Sequence, residues 1–347
     1  MIRFNCDYAE GAHETILRAM EQTNFEQNEG YGTDVHCCRA AALLRTLCGD
    51  ESLDVHFLVG GTQANMTVID AALRPHQGVL SADTGHINGH ETGAVEATGH
   101  KVLALPNTDG KITAAQVESA WREQAENEAA EHLVQPKMVY ISHPTELGTL
   151  YTKAELEALH AVCRAHGLYL FLDGARLAYG LAAAGTDVAL PDLARLCDVF
   201  YAGGTKAGAL FGEAVVIANE ELKRDFRYAI KQHGGMLAKG WLLGIQFEQL
   251  FADGLYQALG RHADGLADRL RQAFARLGVP LLVKNTTNQL FPILPDTALD
   301  ALRREFTFTY QCRVDETHSA VRFCTSWATP PQNVDALIAA LETALKS

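Results

Sequence analysis

The chain has 347 residues, 48% of them hydrophobic and 20% charged, and its formal net charge is −13. That balance excludes nucleic acid or an anionic membrane as the principal partner, because both reward a basic face. The length suffices for a sizeable core and for two domains of about 100–200 residues each.

Short β-rich runs alternate with helical patterns from the amino terminus onward, which predicts an α/β fold with crossover helices. The predicted strands are 55–59, 79–82, 101–105, 138–142, 168–172, 199–202 and 214–217. Several are apolar throughout, as expected of strands covered on both faces of a mostly parallel sheet. Residues 121–134, rich in Glu and Ala, read as a solvated helical face. Thr152-Lys153-Ala154-Glu155 reads as a capping box, and Leu156, Leu159 and Val162 continue with helical spacing. Beyond about residue 240 the pattern changes to a long helical stretch over about 242–277, strand-like runs at 289–294 and 321–324, and a closing helix from about 333. The expected division is a large domain, 1–240, and a smaller α+β carboxyl-terminal domain, 241–347.

Met1-Ile2-Arg3-Phe4-Asn5-Cys6-Asp7 lacks the apolar run of a secretory leader, and no stretch reaches the ~20 apolar residues of a membrane span. The eight cysteines form no Cys-x-x-Cys pair, and the adjacent side chains of His36-Cys37-Cys38 diverge, so neither a metal site nor a disulfide scaffold is expected. The expected compartment is the cytoplasm.

Four turns carry the chemistry. Gly203-Gly204-Thr205-Lys206-Ala207-Gly208 follows the strand 199–202, where open α/β sheets hold ligands. Its glycines admit a close neighbour, and Thr205 adds a hydroxyl beside the lysine. Read alone, the segment is equally a surface lysine in a glycine-rich turn, and it lacks P-loop spacing. Asp173-Gly174-Ala175-Arg176 follows the strand 168–172. A carboxylate there can pair with a protonated pyridine nitrogen, or simply cap the next helix with Arg176 as its ion pair. Gly60-Gly61-Thr62-Gln63-Ala64-Asn65 stands between strand and helix as a potential phosphate cradle, or as an ordinary glycine turn. His86, after the strand 79–82, offers an imidazole to lie against an aromatic ring, or a structural histidine. Together the four meet the needs of one cofactor, pyridoxal 5′-phosphate.

The sequence resembles the threonine aldolase and β-eliminating lyase family, in the aspartate aminotransferase fold type (fold type I) of pyridoxal phosphate enzymes. The matching stretches are Tyr31-Gly32-Thr33-Asp34, Gly61-Thr62-Gln63-Ala64-Asn65, and His86 with Glu91. Asp173-Gly174-Ala175-Arg176, Lys206, and Val321-Arg322 leading into Thr325 complete the set. The resemblance implies that Gly61, Thr62, Gln63 and Thr205 hold the phosphate and His86 stacks on the ring. It further implies that Asp173 binds the ring nitrogen, Arg176 and Arg322 take the substrate carboxylate, and Lys206 bonds the cofactor covalently. It also implies a homodimer or homotetramer with active sites between subunits, Lys231 and Lys239 being candidates to reach a neighbour's phosphate.

The chain departs from many threonine aldolases at two places. Glu146, in Pro144-Thr145-Glu146, stands where they have a His, and Cys6 stands where they have a Ser near the carboxylate site. Glu146 is a candidate base, or a residue holding water or His86. The implied reaction is cleavage of a β-hydroxy-α-amino acid to glycine and an aldehyde. β-Elimination or transamination at the same site, and a non-catalytic cofactor-binding protein, are the alternatives. A nicotinamide enzyme ranks far behind, because no Gly-x-Gly-x-x-Gly follows a first strand.

Overall fold

The computed structural model describes residues 1–346. All seven predicted strands form, and they join in a single sheet: β1 (Asp54–Leu58), β2 (Gln77–Ala82), β3 (Lys101–Leu105), β4 (Gln135–Ser142), β5 (Tyr169–Asp173), β6 (Val199–Gly203) and β7 (Glu213–Ile217). The order is β1-β7-β6-β5-β4-β2-β3. β2 to β6 pair in parallel, and β7 runs antiparallel to both β1 and β6.

Strand periodicity explains the layering. Successive side chains alternate between faces, and the continuous apolar runs therefore feed two cores. Val139, Ile141, Leu170, Leu172, Phe200 and Ala202 enter one; Met138, Tyr140, Phe171, Val199 and Tyr201 enter the other. Parallel neighbours need crossovers, supplied on one face by helices such as Lys153–His166. That helix starts at the Thr152 capping box and ends at Gly167 in the left-handed region. Helix Gly61–Ala72 covers the second face with Ala64, Val68 and Ile69.

A third core gathers Phe4, Leu270, Phe274, Leu290, Phe323, Val334, Leu337 and Leu341. It packs beneath the antiparallel strands Thr309–Arg313, His318–Cys324 and Ile293–Pro295. The amino-terminal strand Ile2–Arg3 pairs with Phe306–Thr307, which brings Asn5 to Tyr8 close to the carboxyl-terminal part. Helix Trp241–Phe251 contributes Phe247, Leu250 and Phe251 to the first core.

Three sequence expectations are corrected. The long helix over 242–277 is two helices, Trp241–Phe251 and Leu255–Arg276, because Asp253 and Gly254 adopt left-handed backbone between them. The run 289–294 is two short strands, Gln289–Leu290 and Ile293–Pro295, interrupted at Phe291-Pro292, where proline has no N–H to donate. The helix expected over 121–134 is Ala114–Ala125, followed by a turn and a short 3-10 segment, Ala130–His132. Its Trp121 is not merely solvated but stacks on His166, ring centroids 3.8 Å apart.

Candidate active site

The carboxyl ends of β1, β5 and β6 and the loops that follow them line a cavity of about 320 Å3. Gly61, Thr62, His86, Glu146, Asp173, Arg176, Thr205 and Lys206 all border it. A wider vestibule continues from it past His86, His90, Tyr310 and Arg322. Four turns scattered through 150 residues of sequence thus converge on one space. The close fit of the loops requires glycine at two positions: a Cβ on Gly174 would lie 1.9 Å from the Tyr201 carbonyl oxygen, and one on Gly203 would lie 2.5 Å from that of Ala175.

Asp173 ends β5 and is buried. In register, Tyr140 of β4 faces Phe171 and Ser142 faces Asp173, so Tyr140 and Asp173 share a face. The Tyr140 hydroxyl donates to Asp173 Oδ2 at 2.5 Å, Asn65 Nδ2 donates to the same oxygen at 3.1 Å, and the Ala175 N–H donates to Oδ1 at 2.9 Å. Burial alone would raise this carboxyl. The Tyr140 hydroxyl, the nearby Tyr201 and the Ala175 N–H outweigh it and hold Asp173 below the ordinary carboxylate range. Tyr201 comes close without completing a hydrogen bond of its own, and its hydroxyl is a buried group with no partner among the described residues.

Lys206 lies in the loop between β6 and β7, its carbonyl accepting from the Tyr179 hydroxyl. Burial, and next the Arg176 guanidinium, hold its ammonium below the usual lysine value. That favours the neutral, nucleophilic amine. Arg176 itself is clasped by Asp7, Nε to Oδ2 at 2.7 Å and Nη2 to Oδ1 at 3.1 Å. Arg322 makes weaker bonds, to the Gln289 side chain at 3.4 Å and the Asn5 carbonyl at 3.2 Å, and its buried Nε has no partner among the described residues.

His86 Nδ1 and Asn65 Nδ2 both meet Glu91 Oε1, each at 2.7 Å, which fixes the imidazole at the cavity wall. Glu146 Oε1 accepts from the His86 backbone N–H at 2.9 Å and from Ser142 Oγ at 2.7 Å. Burial pushes the Glu146 carboxyl up, and neighbouring Asp173 adds to the rise.

Two expected site residues stand apart from this lining. The Gln63 side chain is tied to the backbone, accepting from the Val59 N–H and donating to the His233 carbonyl, so only its main chain remains for a phosphate. Cys6 borders neither cavity; its neighbours Asp7 and Tyr8 take the places there, Asp7 through Arg176 and Tyr8 directly. In Tyr31-Gly32-Thr33-Asp34, Asp34 caps helix Val35–Cys48, accepting from the Cys37 N–H at 2.8 Å. His36 is held between Glu248 at 2.8 Å and Glu26 at 2.9 Å. Asp7, Tyr140 and Tyr201 were not singled out from the sequence, and Asn65 stood there only as the end of the glycine turn, with no link to Asp173. Each acts across a distance in the chain that no local pattern spans.

These residues fit pyridoxal phosphate. In helix Gly61–Ala72 the first intrahelical bond is made by the Ala64 N–H, so the N–H groups before it are free for an anion. The unpartnered Tyr201 hydroxyl faces that turn, 3.1 Å from where a Cβ on Gly61 would sit. A carboxylate whose pKa is held down, for a ring nitrogen, and an amine whose pKa is held down, for an aldehyde, complete the donor set.

Fold and site together define a pyridoxal phosphate-dependent enzyme of the aspartate aminotransferase fold type. Thermus thermophilus aspartate aminotransferase shares that fold, with a TM-score of 0.73 at 16% identity over 99% of this chain and 91% of its own. Within that class the chain belongs to the beta-eliminating lyase family, whose family model matches residues 5–296, and it is a lyase. A solved threonine aldolase from Leishmania major is 46% identical with a TM-score of 0.97, covering 99% of this chain and 100% of that one. Two relatives called low specificity L-threonine aldolase are each 31% identical. The one from a Pseudomonas species covers 99% of this chain and 98% of its own, the one from Pseudomonas aeruginosa 96% and 94%.

Proposed function

We propose that the protein cleaves a β-hydroxy-α-amino acid, L-threonine, L-allo-threonine or a close analogue, to glycine and an aldehyde. The observation that carries this reading is that Lys206, Asp173 and Glu146 border one cavity, in a chain similar over its whole length to threonine aldolases. When bound, pyridoxal phosphate supplies the aldehyde that takes up the substrate amine and the ring that accepts the electron pair of the breaking Cα–Cβ bond.

The chain's own groups do the rest. Lys206 would hold the cofactor covalently through its side-chain amine. Asp173 keeps the ring nitrogen protonated, with Tyr140 and Asn65 fixing its carboxylate. Gly61, Thr62, the Gln63 main chain and Thr205 hold the phosphate, and His86, braced by Glu91, lies against the ring. Arg322 receives the substrate carboxylate, with Arg176 and its partner Asp7 shaping the same wall. Glu146 takes the β-hydroxyl proton, its raised affinity for protons suiting it to a group that must gain and return one.

A homodimer or homotetramer in the cytoplasm belongs to the same reading. Tyr31 and Tyr228, exposed at 48% and 74%, border one shallow depression with Met236, an apolar surface that a second copy would cover. All eight cysteines are free thiols, as a reducing compartment allows. We further propose a large domain to about residue 240 and a smaller one after it.

The test is a product assay with L-threonine, L-allo-threonine and phenylserine. Glycine and the matching aldehyde in equal amounts support the reading; ammonia with a keto acid, or an amino-group transfer, would replace it.

A further inference from the structure

Glu213 opens β7 at the floor of the cavity, 3% exposed, and had no part in the site read from the sequence. One of its oxygens, Oε1, accepts from the Thr205 hydroxyl at 2.9 Å; the other, Oε2, is buried with no partner among the described residues. Thr205 Oγ in turn accepts from the Gly212 N–H at 3.0 Å. A threonine hydroxyl has one proton to give and two lone pairs with which to receive. With Glu213 ionised, that single proton is directed at Glu213, and Thr205 has nothing to donate to an anion in the cavity. With Glu213 protonated, the carboxyl can donate to Thr205 Oγ. The oxygen then receives from Gly212 and Glu213, and its own proton is free to turn to an anion in the cavity, which outcompetes the long contact to the Gly212 carbonyl at 3.5 Å.

We propose that Glu213 is a positioning residue whose proton decides whether Thr205 donates to the cofactor phosphate. No bond other than hydrogen bonds changes: the carboxyl proton stays on Glu213, and the hydroxyl rotates. The surroundings favour the protonated form. Burial pushes Glu213 up to about 8, with Lys206 opposing and Asp173 adding to the rise. The groups that face it are Lys206 and Thr205 from its own loop, Asp173 from β5, Tyr201 from β6 and Tyr256 from helix Leu255–Arg276. A bound phosphate dianion would favour the proton further. The cofactor would then be held firmly at neutral pH and loosened as the solution becomes alkaline.

The inference rests on the reading that the phosphate sits at Thr205, and the experiment separates the two. Equilibrium dialysis of the full chain against pyridoxal phosphate, and separately against phosphate-free pyridoxal, is run from about pH 7 to about pH 9.5. For the wild type, affinity for pyridoxal phosphate weakens about 10- to 100-fold more than affinity for pyridoxal, the worth of one charge-assisted hydrogen bond. Glu213→Gln carries a permanent N–H donor toward Thr205, so its excess loss disappears while its neutral-pH affinity stays near wild type. Thr205→Val binds pyridoxal phosphate weakly at every pH. If Thr205→Val binds as tightly as wild type, the phosphate is not at Thr205 and the underlying reading fails. If Thr205→Val is weak but wild type and Glu213→Gln lose affinity in parallel, or wild type shows no excess loss, the proposal about Glu213 is overturned.

Discussion

Arg176 is bound through two hydrogen bonds to the fully buried carboxylate of Asp7, which Asn288 also contacts at 2.9 Å. The charge of Arg176 is therefore neutralised within the protein, whereas Arg322 borders the vestibule with no carboxylate beside it among the described residues. Two arginines that the sequence presents as equals have different surroundings, and they should answer differently to mutation. Arg322→Gln should raise KM for the amino acid at least tenfold and leave the melting temperature and cofactor absorbance near wild type. Arg176→Gln strands Asp7 as a buried unpaired charge and should cost about 3–5 kcal/mol of stability. Steady-state kinetics beside thermal melting of both variants checks the contrast; matching effects in the two assays would remove it.

Asp173→Asn should lower kcat/KM about 10- to 100-fold, from the loss of a charge-assisted bond to the ring nitrogen. Tyr140→Phe removes the shortest hydrogen bond to that carboxylate and should produce a smaller loss in the same direction. Both are read from kinetics and from the absorbance of the bound cofactor. A Tyr140→Phe effect as large as that of Asp173→Asn would mean that Tyr140 touches the reacting groups itself.

Glu146 must be ionised to accept a proton, and burial has raised its affinity for one. kcat/KM should therefore fall as pH drops through the raised value, and recover above it. Glu146→Gln should lose this acidic limb and about 10²–10⁴-fold in kcat. A pH–rate profile of the two proteins decides the matter, and an unchanged acidic limb in the variant assigns the proton step elsewhere.

Asp264 lies away from the site on helix Leu255–Arg276, and neither carboxylate oxygen has a hydrogen-bond partner among the described residues. Burial pushes it up to about 8, with Arg271 pulling the other way. Its folded value is above its unfolded value, so its contribution to stability is complete below about pH 4 and is lost as pH rises through about 8. Asp264→Asn should therefore raise the melting temperature relative to wild type at pH 8.5 or so and lose that advantage near about pH 5. A difference independent of pH would show that the carboxyl does not titrate in this range.

The seven strands of the sheet were legible because a parallel sheet covered on both faces demands apolar runs with little alternation, and each run ends at a turn. The four turns that border the cavity were legible for the same reason, each following a strand. Less was visible where two elements share one periodicity. The helical spacing of 242–277 continues on both sides of Asp253-Gly254 and conceals the break, and Pro292 divides a run that reads as one strand. In the site, the groups that set the chemistry of Asp173 and Arg176 were the hidden ones. Asn65 reaches Asp173 across 108 residues and Asp7 reaches Arg176 across 169, and only the packed sheet brings them together. Glu213 was hidden differently, because a charged residue at a strand end ordinarily reads as solvated.

The central claim is that Lys206 carries the cofactor. Reducing the holoenzyme with borohydride and mapping the modified peptide tests it most directly. The account requires the pyridoxyl group on Lys206, with Lys206→Ala showing neither the visible cofactor band nor turnover. A label on another lysine, such as Lys231 or Lys239, or normal turnover by Lys206→Ala, would contradict it.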